Sequence, residues 1–233
     1  FLQHFRQQGV DTRHVVPLHG QTNSISAIVT DEHGERMIYS HKGSALQHPG
    51  PFDASSLDRQ DVLLTDPRCI LWAEQAMKLA REMGLPCLLD GEISPAEDLR
   101  RLVPLSQWVA FSDPGLQAFH PGPHADGLAQ ALDSDPGVEL AVVTLGEKGL
   151  MWQRRGLAPQ RMAGFAVPHV IDTTGAGDTF HAALALAWAD GHDHPSALRF
   201  ASAAAALKCT RPHGILGAPH QDEVQAFLAQ QPN

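Results

Sequence analysis

The spacing of apolar and polar residues changes character along the chain. Residues 1 to 8 have the pattern of a closing amphipathic helix, and Gly9 supplies its stop. Ser24-Ile25-Ser26-Ala27-Ile28-Val29 alternates strictly, Asp31-Glu32-His33-Gly34 is a turn, and Glu35-Arg36-Met37-Ile38-Tyr39 alternates again, which predicts a β-hairpin. From about residue 60 short apolar runs take turns with helical spacing. Strands are expected at Val62 to Leu64, Pro86 to Leu89, Trp108 to Phe111 and Leu140 to Leu145, and helices at Leu71 to Met83 and Pro95 to Val103. This repetition predicts an α/β fold with a mostly parallel sheet covered on both faces. Ligands of such sheets sit beyond the carboxyl ends of the strands. Thr65 to Arg68, Asp90 to Glu92, Ser112 to Pro114 and Gly146 to Gly149 are therefore expected as loops lining a site. Residues 120 to 137 are turn-rich, with a short helix around Leu128 to Leu132, and the run Ala201 to Ala206 reads as a helix packed closely on a neighbour.

Composition narrows the function classes. The 233 residues are 43% hydrophobic and 18% charged, an ordinary globular balance with a core to bury. Lys and Arg number 17 against 26 Asp and Glu, a formal charge of −9, which argues against nucleic acid or an anionic membrane as partner. No apolar run approaches the roughly 18 to 20 residues that span a bilayer. Cys69, Cys87 and Cys209 are scattered and without CxxC spacing, as in reduced cytoplasmic proteins rather than a disulfide scaffold. FLQHFRQQGV is not a signal peptide, and because the chain opens inside an element, a further N-terminal piece is expected before Phe1.

The densest chemical signal is Asp172-Thr173-Thr174-Gly175-Ala176-Gly177-Asp178-Thr179-Phe180. Phe180, Ala183, Leu184, Ala187 and Trp188 follow at helical spacing, so the small residues open a helix that Gly191 ends. Amides at such a terminus lack intrahelical partners and carry the positive end of the dipole, and glycines let a phosphate reach them. Asp178 in the first turn is then placed to take a proton from a hydroxyl attacking that phosphate. A plain helix start, with Asp178 as dipole partner, is the bland alternative. A dinucleotide fingerprint fails because Phe180 stands at the sixth position, and no GxxxxGK[ST] occurs.

The whole string DTTGAGD with Thr179-Phe180 resembles the C-terminal signature of the ribokinase/PfkB family of sugar kinases. The similarity runs from about residue 9 to the C-terminus, taking in the segment 24–41, the run Val143 to Gly149, and Ala203 to Gly214. It implies a single ribokinase-like three-layer α/β/α domain over 1–233 with a small β lid at about 22–42. The family's opening strand and sugar-gripping glycine pair would lie before Phe1. The resemblance implies ATP as phosphoryl donor with Mg²⁺ on its phosphates. Asp178 would be the catalytic base, and the amides of Gly175, Ala176 and Gly177 the anion hole. Thr144, Gly146 and Gly149, with Ser112, would face the nucleotide. Asp172 and Thr174, with carbonyls from 210–217, match the place of a monovalent cation such as K⁺. Members often pair through their lids, which implies a homodimer. One departure stands out: the family's NxxE segment is replaced by Ser112-Asp113-Pro114-Gly115, leaving Asp113 and Glu92 as candidate Mg²⁺ anchors.

Leu89 to Ile93, Ala110 to Leu116 and Arg199 to Pro212 are more narrowly similar to the sulfofructose kinases, which act on 6-deoxy-6-sulfofructose. Arg68 matches an anion-contacting arginine of that branch, and its fork of donors suits a sulfonate. The plain alternative is a surface arginine paired with Asp66 or a helix acid. Ser40 is a further sugar-contact candidate, standing where the branch has an asparagine. Fructokinase-, ketohexokinase- or ribokinase-like action on a neutral sugar stays open, as do a phosphorylated ketose, a nucleoside, a silent sugar or nucleotide sensor, and a nicotinamide-dependent enzyme. The 14 histidines form no zinc pattern. Lys208 and Arg211 are expected either to complement a helix C-terminus or to face nucleotide phosphates. Trp72, Trp108, Trp152 and Trp188 read as core or interface.

Overall fold

The structure is a computed structural model and describes residues 2–30, 36–41, 43–46 and 50–231. After a first short helix, α1 (Leu2–Gln7), strands β1 (Ile25–Thr30) and β2 (Arg36–His41) form a separate antiparallel two-stranded sheet. The main sheet has six strands: β3 (Leu63–Thr65), β4 (Cys87–Gly91), β5 (Trp108–Ser112), β6 (Leu140–Thr144), β7 (Leu150–Arg154) and β8 (Gln160–Met162). They lie side by side in chain order, parallel from β3 to β6 and antiparallel at β7 and β8. Helices α2 (Ile70–Met83), α3 (Ala96–Leu102), α4 (Asp113–Phe119) and α5 (His124–Asp133) cover one face; α6 (Ala176–Ala189), α7 (His194–Cys209) and α8 (Gln221–Leu228) cover the other.

Period-two alternation divides the strand side chains between two cores. Leu88, Trp108, Ala110, Leu140 and Val142 pack against α6 and α7, whereas Leu89, Val109, Phe111, Ala141 and Val143 pack against α2 to α5. Every one of these ten is 2% exposed or less, which is why the parallel strands read as continuous apolar runs rather than alternating ones. The alanines of α6 and α7, including Ala183, Ala187, Ala201 and Ala204, let those two helices approach closely. Trp108 stacks on Trp188 with ring centroids 3.9 Å apart, so the tryptophans here are core and not a ligand platform.

The expected elements are present within a residue or two at each end, and the departures have local causes. Residues 112–115 form a helix start, not a loop: the Ser112 hydroxyl accepts from the Gly115 amide at 3.0 Å as the N-cap of α4. Gly115 is required there, since a Cβ would lie 1.9 Å from the Gly91 carbonyl oxygen. The reversal from β6 into β7 turns on Gly149, at φ +85°, where a Cβ would lie 2.1 Å from the Met162 carbonyl oxygen. That turn makes β7 and β8 antiparallel, an edge that the strand–helix rhythm did not announce. Helix α5 starts four residues before the expected Leu128, and α8 was not anticipated.

In the small sheet, Ile25 pairs with His41, Ala27 with Tyr39 and Val29 with Met37. Opposed residues of an antiparallel pair share a face, so Ile25, Val29, Met37 and Tyr39 form one apolar surface, each more than half exposed. The other face carries Ser26 and Ser40, whose hydroxyls are 2.9 Å apart. Thr22 and Ser44 clasp the two stems: each amide donates to the other residue's hydroxyl at 3.1 Å. The expected turn Asp31 to Gly34, and Glu35 after it, lie outside the described residues.

Candidate active site

The DTTGAGD string lies where the sequence placed it, across the start of α6. Gly175 caps the helix at φ +81°, and a Cβ there would stand 3.2 Å from the Ile215 amide nitrogen. Its carbonyl accepts from the Thr179 amide at 2.9 Å and the Thr179 hydroxyl at 2.8 Å, closing the first turn. The Ala176 amide donates to the Thr173 carbonyl at 3.2 Å, so it is turned inward. Among the described residues no protein acceptor faces the amides of Gly175, Gly177 and Asp178. The donor set therefore differs from the expected Gly175, Ala176 and Gly177: Asp178's own amide takes the place of Ala176's. Asp178 is exposed at the mouth of this turn, while Thr179 and Phe180 behind it are buried.

Beyond the ends of β3 and β4 lies a charged cluster. Asp66 accepts the Arg68 amide at 2.7 Å and so turns the chain after β3. The guanidinium of Arg68 is held by Glu92, with Nε and Nη2 at 3.2 and 2.5 Å from Oε2. This bond raises the Arg68 pKa first of all; burial opposes it, and the charges of Glu92, Asp66 and Asp178 add to it. Arg68 and Asp178 thus share one electrostatic neighbourhood. Asp90, at the end of β4, has its carboxyl pushed up to about 6 by burial; His181 opposes the shift, and Glu92, Asp66 and Asp178 reinforce it.

His181 is the residue that sequence reasoning missed. It sits one turn along α6 from Asp178 and is 5% exposed. Its Nδ1 is 2.8 Å from the Gly177 carbonyl and 3.3 Å from Asp90 Oδ2, and its Nε2 is 2.9 Å from the Ala110 carbonyl. Both ring nitrogens face acceptors, so the imidazole ties the first turn of α6 to β4 and β5. A lone histidine in the otherwise apolar stretch Phe180 to Ala189 was the available signal.

The nucleotide-side candidates divide. Thr144, at the end of β6, donates its hydroxyl to the Phe111 carbonyl at 3.3 Å, and Gly146 follows at φ +60° with open space around it. Ser112 and Gly149 have structural duties instead: the Ser112 hydroxyl caps α4, and Gly149 packs against residues 162–164. Ser40 lies in the small sheet, bonded to Ser26. A groove lined by Phe52, Trp72, Leu79 and Lys78 runs along α2 and holds none of these residues.

The cation candidates Asp172 and Thr174 are brought together with the 210–217 loop, but around a different charge. Asp172 accepts from the Thr174 amide at 2.8 Å and the Gly214 amide at 2.9 Å, and these two bonds hold its carboxyl far below the usual carboxylate range, with Thr174's hydroxyl and Lys208 adding to the effect. The fully buried Lys208 ammonium donates to the Asp172 carbonyl at 2.7 Å and lies 3.4 Å from Oδ2. A K⁺ ion does not fit beside an ammonium already on the same carboxylate. Lys208 therefore neither serves the dipole nor reaches a phosphate, and Arg211 is paired with Glu223 of α8 at 2.7 Å. For Mg²⁺, Glu92 is committed to Arg68 and Asp113 lies 2.8 Å from His124 Nε2. Among the described residues no three metal-ligand side chains converge, so the protein offers no preformed cage. No helix among them is long and apolar enough to cross a membrane.

Comparison with known proteins agrees with this geometry. The pfkB family carbohydrate kinase model matches residues 1–221. A ribokinase of Haemophilus influenzae is 27% identical over 234 residues, covering 96% of this chain and 75% of the relative. A crystal structure from Agrobacterium tumefaciens superposes with a TM-score of 0.89 at 30% identity, covering 98% of this chain and 75% of the other. Arabidopsis thaliana ribokinase, solved with ribose and ATP, superposes with a TM-score of 0.83 at 23% identity, over 96% of this chain and 74% of that one. With the family signature at the start of α6 and the family fold around it, the chain belongs to the pfkB family of carbohydrate kinases.

Proposed function

We propose that this kinase transfers the γ-phosphoryl group of ATP to a sugar hydroxyl at the N-terminus of α6. The observation that carries the reading is the exposed carboxylate of Asp178 next to backbone amides for which no protein acceptor is found among the described residues. The sugar hydroxyl hydrogen-bonds to Asp178 and its oxygen attacks the γ-phosphorus in line. The new O–P bond forms as the bond to the β,γ-bridging oxygen breaks. Asp178 takes the hydroxyl proton, and ADP leaves with the bridging oxygen. The amides of Gly175, Gly177 and Asp178 meet the charge on the transferring group, aided by the dipole of a 14-residue helix. Among the described residues no side-chain set is preformed to hold Mg²⁺, which, when bound with ATP, would supply neutralisation of its phosphates.

The finer reading is a ketose with an anionic 6-substituent, 6-deoxy-6-sulfofructose. Arg68, at the carboxyl edge of the sheet in the field of Asp178, supports it. Glu92 favours a second reading: it already neutralises the Arg68 guanidinium, which suits a neutral fructose or ribose, and the Haemophilus influenzae relative is a ribokinase. We also propose that 1–233 forms one kinase domain with its lid at 22–42, working in the cytoplasm as a homodimer. The exposed apolar face of Ile25, Val29, Met37 and Tyr39 is the surface that supports pairing.

The test is ADP release with ATP and each of 6-deoxy-6-sulfofructose, fructose and ribose, ranked by kcat/KM. Asp178→Asn, at an exposed position, should melt like the wild type and lose about 10²- to 10⁴-fold in kcat. An unchanged kcat in that variant sinks the base assignment, and absence of ATP turnover with every one of these sugars leaves the silent-sensor reading standing.

A further inference from the structure

The residues that the family resemblance assigns to a monovalent cation do converge, but what they enclose is a side chain. Lys208 ends α7 with no exposed surface, and its ammonium points into the Asp172 turn. Asp172 in turn joins two loop segments. One carboxylate oxygen accepts from Thr174, immediately before the anion turn, and the other accepts from Gly214 in the loop opposite. That loop touches the turn itself: the Gly175 Cβ position faces the Ile215 amide at 3.2 Å, and Gly214 faces the Thr174 methyl at 3.8 Å. A single positive charge thus sits one residue-pair away from the backbone that must aim its amides at a phosphoryl group.

We propose that the Lys208 ammonium is a built-in replacement for the monovalent cation, a positioning residue that fixes Asp172 and hence the 175–178 turn. The kinase then works without K⁺. A carboxylate accepting two amides and lying beside a buried charge is held in one rotamer, and the amide of Thr174 is held with it. An ammonium tethered to α7 cannot be diluted away, whereas an ion in the same place requires a threshold concentration. The proposal deepens the kinase reading and rests on it for its activity arm only.

The experiment compares the wild-type chain and Lys208→Met in potassium chloride and in tetramethylammonium chloride at matched ionic strength, reading both melting temperature and sugar-dependent ATP turnover. The wild type should show the same melting temperature and the same kcat in both salts. Lys208→Met should melt lower and lose about 10²-fold in kcat, the scale of one misaimed anion-hole donor. Potassium, small enough to enter the vacated space, should restore part of both quantities; tetramethylammonium should restore neither. A merely structural lysine would give a variant equally impaired in either salt, and that result overturns the proposal. So does a wild type whose melting temperature or kcat rises with potassium. If Lys208→Met does not fold, the wild-type comparison decides alone. If no sugar supports turnover, the kinase reading fails while the melting comparison still decides the role of Lys208.

Discussion

Gly175 and Gly177 lie two residues apart in the same turn, and replacing each by alanine separates holding the turn from docking a phosphoryl group. At Gly175 the backbone is left-handed, φ +81°, and the new Cβ would press on the Ile215 amide at 3.2 Å. The conformation alone costs an alanine about 1–2 kcal/mol, and the contact adds to it because the neighbour is backbone and not a flexible side chain. Gly175→Ala should therefore lower the unfolding free energy by about 2 kcal/mol and, by tilting the amides, reduce kcat by about 10²-fold. Gly177 is different. It is the second residue of α6, its φ is not positive, and nothing lies within 4 Å of a Cβ there. Gly177→Ala should keep the fold and gain up to about 0.5–1 kcal/mol from helix propensity. Its methyl group nonetheless occupies the space in which phosphoryl oxygens must meet the amides, so kcat should still fall by about 10²-fold. Urea denaturation and initial-rate kinetics on the two variants give four numbers with a distinctive pattern: activity lost in both, stability lost in one. Normal turnover by Gly177→Ala would refute the docking site, because the open face of the turn would then not be where the chemistry occurs.

Two further outcomes follow from the packing and charge around the site. Gly115→Ala places a Cβ 1.9 Å from the Gly91 carbonyl, a backbone clash at the junction of β4 and α4, and should destabilise the chain by about 3 kcal/mol in a denaturation curve. A variant as stable as the wild type would mean that α4 docks differently. Asp90 has its folded pKa raised to about 6 from 3.8, so between those values the folded state binds the extra proton and stability falls as pH rises. Asp90→Asn lacks that proton uptake, so its stability relative to the wild type should improve from pH 4 to pH 6 by on the order of 1–2 kcal/mol. A difference that stays flat across that window shows that Asp90 does not take up the proton.

Much of the molecule was legible from local pattern. The strands β3 to β6 announce themselves as apolar runs because both faces of a parallel sheet are buried, and α2 and α6 do so by helical spacing and their closing glycines. The turn that opens α6 was legible because its requirement is local: left-handed backbone at Gly175, small residues at the helix start, and an acid in the first turn. What local pattern did not determine is which of several available partners each charged group takes. Arg68 had Asp66 next to it in sequence, yet its guanidinium is held by Glu92, 24 residues on, while Asp66 bonds the backbone. His181 gains its meaning only when α6 lies on β5 and brings it to Asp90. Lys208 and Asp172 are 36 residues apart, and neither carries a mark that it neutralises the other. Helix and strand periodicity report which side of an element is buried, a property of the element itself. The pairing of buried charges depends on which element lies across the gap, and only the packed sheet with its two helical layers decides that.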